Sequence, residues 1–118
     1  MSEQTMLAKT PLHAFHLSEG AKMSGFAGYD MPLSYTQGAI AEHHLCRTGA
    51  VIFDVSHMGK VRILGTGAYE FANSIFTNDL DRIKPGQAQY SMLCNDSGGV
   101  IDDLIVYLVS DTEVRFIP

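Results

Sequence analysis

Gly98–Tyr107, GGVIDDLIVY, is the stretch whose reading decides the fold. Its glycines close a turn, and Val100 onward is rich in the β-branched and aromatic side chains that suit a strand. Two adjacent aspartates sit inside that run. Side chains alternate across a strand, so Asp102 shares a face with Leu104, Val106 and Leu108, and Asp103 shares the other with Ile101, Ile105 and Tyr107. Both faces read as apolar, which predicts a strand covered on both sides. A carboxylate there must be paired, protonated or aimed at something, because burying it unpaired is costly. Either the pair binds loop amides or an arginine near the hairpin end, or one of them lines a ligand cavity and favours developing positive charge.

Working outward, Gln89–Cys94 reads as the preceding strand, with residues 95–99 as the hairpin loop, and Glu113–Ile117 as the following strand. A loop centred near Ser97 sets Tyr90 roughly opposite Asp103 or Leu104 and leaves Tyr107 on the Asp103 face. Two tyrosines flanking a carboxylate make a flat, amphipathic wall suited to a ring ligand. As the last strand, Glu113–Ile117 is expected at an unprotected sheet edge, where copies of the chain would self-associate. Lys60–Leu64 alternates as another strand, and a helix follows from about Gly67 to Phe76, with Ala68, Phe71, Ala72 and Ile75 as its apolar stripe.

Earlier in the chain, Thr10-Pro11 predicts a helix start and Gly20 its stop. Residues 21–35 show turn formers without a period and read as an irregular connection. A second helix is expected from about Tyr35 to Thr48, closed by Gly49. Helices first and antiparallel strands later make an α+β fold.

Composition narrows the function. The chain has 118 residues and 46% hydrophobic content, which suits a folded domain rather than a disordered segment. Its 8 Lys and Arg are scattered and its net charge is -5, which argues against nucleic acid as a partner. No apolar run is long enough to span a membrane. Cys46 and Cys94 are far apart and read as buried reduced thiols, and the opening MSEQTMLAKT resembles no leader, so a cytoplasmic protein is expected. His43, His44, His57 and Asp54 lack metal-site spacing, and no metal is expected. His13 and His16 fall on a partly exposed helix face. Gly65-Thr66-Gly67 reads as a strand-to-helix turn, and Met58 by itself reads as core filler.

Taken in order, TPLHAFH, GAKMSGFAGYDMPLSY, EHHLCRTGAVIFDVSHMGKV, TND and GQAQYSMLCNDSGGVIDDLIVY resemble the aminomethyltransferase (T-protein) family of the glycine cleavage system. The most specific parts are FDVSHMG (Phe53–Gly59) and GGVIDDLIVY. Tyr29 and Asp30 stand where the family usually has Trp and Glu. The resemblance implies the N-terminal portion of a folate-binding aminomethyltransferase fold. Residues 1–58 would be the first segment of a discontinuous N-terminal domain, and residues 59–118 a truncated second α+β domain. It implies transfer of an aminomethyl group from the lipoyl arm of the H-protein to tetrahydrofolate, giving methylenetetrahydrofolate and ammonia. It also implies Asp103 as the catalytic carboxylate, with Met58, Tyr90, Asp103 and Tyr107 as cofactor contacts and Asp102 as structural. Family members run much longer, so a non-catalytic folate- or protein-binding module is the rival reading. A related folate-dependent demethylase, which usually alters the SHMG segment, is the third.

Overall fold

A computed structural model describes residues 6–118. The chain divides into two compact units, one ending at His57 and the other beginning at Met58.

In the first unit, β1 (Ala8–Lys9), β2 (Lys22–Phe26) and β3 (Tyr29–Ser34) form a sheet in the order β1-β3-β2. Strand β3 is parallel to β1 and antiparallel to β2. The segment expected to be irregular is therefore a hairpin. Its two-residue turn has Ala27 at φ 48 and Gly28 at φ 81, the left-handed pair that matches strand twist. Pro32 is tolerated because β1 pairs only with Tyr29 and Asp30, leaving that side of β3 free further along. Most of the hairpin is exposed or half-buried, so no apolar alternation advertised it.

Helix α1 spans His13–Ser18, shorter than expected. Thr10 does not cap it, because its hydroxyl is committed to Asp54. Gly20, at φ 72, ends it as anticipated. Helix α2 spans Ala39–Thr48 rather than starting at Tyr35, since residues 35–38 form a turn closed by Gly38 N donating to the Tyr35 carbonyl. No residue of α2 is buried, and Cys46 is exposed and Cys94 half-buried, against the expected buried thiols.

The second unit holds a four-stranded antiparallel sheet in the order β4-β7-β6-β5, formed by β4 (Val61–Leu64), β5 (Ala88–Cys94), β6 (Val100–Ser110) and β7 (Glu113–Ile117). Strand β7 lies between β4 and β6, so it is not the sheet edge the sequence suggested. The edges are β4 and β5. Helix α3 (Ala68–Ile75) and the following 3-10 turn (Leu80–Arg82) cover one face. Ala72, Phe76, Leu80, Leu104, Val106, Leu108 and Val114 form the core there. Phe71 is 55% exposed and falls outside the stripe assigned to it, its place being taken by Phe76. Gly59, before β4, faces the ring of Pro118, which an added Cβ would approach to 2.9 Å. Among the described residues no helix is long and apolar enough to cross a membrane.

Only one face of β6 is covered. Leu104, Val106 and Leu108 are buried, whereas Ile101, Asp103, Ile105 and Tyr107 are exposed. The expectation of two covered faces fails, and with it the premise that solvent cannot excuse the aspartates. Asp102 has the parity of the core face, but it lies beyond the core at the hairpin end and is also exposed.

Candidate functional site

The uncovered sheet face gathers three of the four residues singled out from the sequence. Residues paired across antiparallel strands point to one side, so Tyr90 and Met92 of β5 join Asp103, Ile105 and Tyr107 of β6. Asp103 pairs with Met92, and Tyr90 pairs with Ile105, one pair further along than expected. The shift traces to a bulge between Leu93 and Cys94, which sequence alone does not reveal. Tyrosine is long enough to cross the diagonal. Its hydroxyl donates to Asp103 Oδ2 at 2.7 Å.

That hydrogen bond, followed by desolvation and the nearby charge, raises the Tyr90 hydroxyl above its ordinary value. The phenol therefore stays protonated at neutral pH and fixes one carboxylate oxygen. Tyr90 is 56% and Tyr107 41% exposed, so both rings present area to a ligand. A carboxylate fixed by one phenol, with Ile105 and Met92 as apolar floor and Tyr107 two pairs further along the same face, suits a flat ring ligand that carries or develops positive charge. Asp102 accepts a hydrogen bond from its neighbour's amide, Asp103 N, at 2.9 Å. Neither aspartate binds the loop amides; Asn95 does, accepting from Ser97 N and Gly99 N.

Met58 is placed differently. It sits half-buried in the turn entering β4, at the edge opposite β5, with its carbonyl accepting from Lys60 Nζ at 2.8 Å. The sheet does not bring it to the tyrosine–aspartate surface.

Sequence reading missed two sets of residues. Thr77, Asn78 and Ser91 brace β5, as detailed below. In the first unit His13 and His16 are buried, contrary to the exposed face assigned to them. His13 Nε2 donates to Asp30 Oδ2 at 2.8 Å, and His16 Nε2 to Asp54 Oδ2 at 2.8 Å, with side chains of His16 and Asp54 only 4% and 2% exposed. Tyr35 Oη lies 2.8 Å from His16 Nδ1, and Thr10 donates to Asp54 Oδ2 at 2.8 Å. Burial pushes the Asp54 carboxyl up, but hydrogen bonds from His16, Ser56 and Thr10 prevail and hold it well below the usual carboxylate range. The available signal was Asp54 itself, a carboxylate in the apolar run Val51–Val55. His57 packs edge-on to Phe26, and its buried Nδ1 has no hydrogen-bond partner among the described residues. A cavity of about 420 Å³ in this unit is lined by Tyr35, Glu42, His43, Cys46, Ile52 and Phe53 among others. It holds none of the four residues singled out from the sequence.

Comparison with known proteins follows the same lines. The family model described as GCVT N-terminal domain matches residues 12–117. An aminomethyltransferase of Frankia alni is 52% identical over 113 residues, covering 95% of this chain and 31% of the relative. An aminomethyltransferase of Mycobacterium avium is 50% identical over 118 residues, covering 100% of this chain and 32% of the relative. The crystal structure of glycine cleavage system aminomethyltransferase T from Bartonella henselae superposes with a TM-score of 0.84 at 36% identity, covering 95% of this chain and 31% of that one. The chain thus spans about a third of the length of these relatives.

Proposed function

The chain belongs to the family of GCVT N-terminal domains, and from that premise we propose that its open sheet face is the tetrahydrofolate-facing wall of an aminomethyltransferase of glycine cleavage. The observation that carries this reading is the Tyr90–Asp103 hydrogen bond, which fixes a carboxylate on an exposed face that also bears Tyr107. The aminomethyl group would arrive on the lipoyl arm of the H-protein. In that transfer the carbon would part from the sulfur and from its own amino nitrogen and bond to two nitrogens of tetrahydrofolate, whose two displaced protons would go to the sulfur, giving a thiol, and to the amine, giving ammonia, so that methylenetetrahydrofolate results.

Tetrahydrofolate supplies the nitrogen nucleophiles in this chemistry. Asp103 supplies fixed negative charge beside a carbon and nitrogen that become cationic, and it is placed to accept the proton the nitrogen sheds. Tyr90 keeps that carboxylate from turning away. Tyr107 offers a second ring for stacking, whereas Met58, at the opposite edge of the sheet, is proposed as a cofactor contact on the resemblance of FDVSHMG alone. Residues 1–58 and 59–118 are assigned in the same way to the two domain segments that motif implies.

The exposure of Asp103 favours a second reading, a non-catalytic folate- or protein-binding module. A carboxylate stabilises a transition state most strongly where water is excluded, and this face is open. One experiment separates the two. With this segment grafted into a full-length relative, aminomethylated H-protein and tetrahydrofolate should yield methylenetetrahydrofolate and ammonia. Asp103→Asn should lower that turnover by about 10²–10³. Folate binding with unchanged turnover in Asp103→Asn would favour the binding module.

A further inference from the structure

We propose that Thr77, Asn78 and Ser91 are positioning residues that hold strand β5 so that the Tyr90 hydroxyl stays on Asp103, an inference resting on the assignment of that face as the ligand-binding one.

The need arises from topology. Strand β5 is a sheet edge, paired to β6 on one side only. An edge strand has free amides and carbonyls on its other side and can fray or slip. A slip of one residue would turn Tyr90 from the open face to the core face. Even without a slip, the Tyr90–Asp103 contact is diagonal, since Tyr90 pairs with Ile105, and it depends on strand stagger.

The segment after α3 supplies the missing partners. Phe76 bridges Leu93 in antiparallel fashion. Thr77 N donates to the Met92 carbonyl at 3.0 Å, and Met92 N donates back to Thr77 Oγ1 at 3.1 Å. Asn78 N donates to Ser91 Oγ at 3.0 Å, and the Asn78 side-chain amide donates to the Tyr90 carbonyl. Ser91 is fully buried on the core face. A buried hydroxyl without a partner would be destabilising, and Ser91 finds its partners in this segment, accepting from Asn78 N with Thr77 Oγ1 3.5 Å away. Tyr90 is therefore held at its own carbonyl and through the three residues that follow it, Ser91, Met92 and Leu93. The brace is itself anchored, because Leu80 is buried in the core and its amide donates to Asn73 Oδ1 at 2.8 Å. None of the three needs to touch the ligand. They act through Tyr90.

The test reads Tyr90 directly, by the pH titration of its 13Cζ resonance in tyrosine-labelled chain, assigned with Tyr90→Phe. Asp103→Asn defines the midpoint when the carboxylate contact is lost. Asn78→Ala and Thr77→Val should move the Tyr90 midpoint most of the way down to that reference. Thr77→Ser, which retains the hydroxyl, should keep the parent midpoint, and Tyr35 should titrate as in the parent. Parent-like Tyr90 titration in folded Asn78→Ala and Thr77→Val would overturn the proposal. Should Asn78→Ala unfold, the Thr77 pair decides, and equal midpoints for Thr77→Val and Thr77→Ser overturn it. The readout needs no ligand, so it is independent of the functional assignment. A moved midpoint in a chain whose relatives' assay shows no role for Asp103 would keep the brace and remove the aminomethyltransferase reading.

Discussion

Asp103 and Asp54 show what single residues disclose. Both are carboxylates set in apolar runs, and both have hydrogen-bonded partners. That Tyr107 shares the Asp103 face was legible from strand parity alone, whereas a register placing Tyr90 opposite Asp103 or Leu104 left its face open. The partner geometry was not legible, because a bulge at Leu93/Cys94 shifts the register by an amount no local pattern encodes. Asp54 was passed over because its partners, Thr10 and His16, are far away in sequence. Its titration makes a prediction. The folded carboxyl is depressed by hydrogen bonds that outweigh burial, so its stabilisation is present above the unfolded carboxyl's pKa of about 3.9 and is lost as pH falls below it. Asp54→Asn should cost about 1–3 kcal/mol at neutral pH, through a weakened buried hydrogen-bond set. It should also flatten the acid limb of a stability-versus-pH curve measured by denaturant melts. An acid limb as steep as the parent's would show that Asp54 is not the group responsible.

At the scale of elements, strands β4, β6 and β7, helix α3 and the ends of α1 and α2 at Gly20 and Gly49 were legible, because alternation, helical spacing and glycine stops are local signals. The β2–β3 hairpin was not, since its strands are short and largely exposed and Ala27 occupies a turn position normally given to Gly or Asn. Nor was the strand order. Placing β7 inside the sheet depends on β4 pairing with it across some fifty residues of sequence, a long-range choice invisible in either strand. The one-sided burial of β6 has a mutational signature. Leu104→Ala, on the core face, should cost about 2–5 kcal/mol, whereas Ile101→Ala, on the open face, should stay within about 0.5 kcal/mol. Calorimetric or denaturant melts of the two variants measure the contrast. Comparable losses would mean the open face is buried in solution, by association or by another segment.

For the whole molecule, apolar burial is concentrated in the second unit. Among the described residues the first unit buries Met31 as its apolar side chain, and otherwise Thr10, His13 and His16, while Ile40, Ile52 and Phe53 are largely exposed. The family pattern in the sequence had already joined the segment around Phe53–Gly59 to the GGVIDDLIVY strand, and the match over residues 12–117 includes both. Beyond family membership, the central proposal is that the open sheet face bearing Tyr90, Asp103 and Tyr107 is the surface that meets tetrahydrofolate. The most direct measurement is an NMR titration of the 15N-labelled chain with tetrahydrofolate, which reads weak binding residue by residue. Shifts should concentrate at Tyr90, Met92, Asp103, Ile105 and Tyr107, persist in Asp103→Asn and Asp102→Asn, and weaken in Tyr107→Ala, which removes a stacking ring. Shifts confined instead to Tyr35, Glu42 and Ile52 around the first unit's cavity, or a response indifferent to Tyr107→Ala, would contradict that placement.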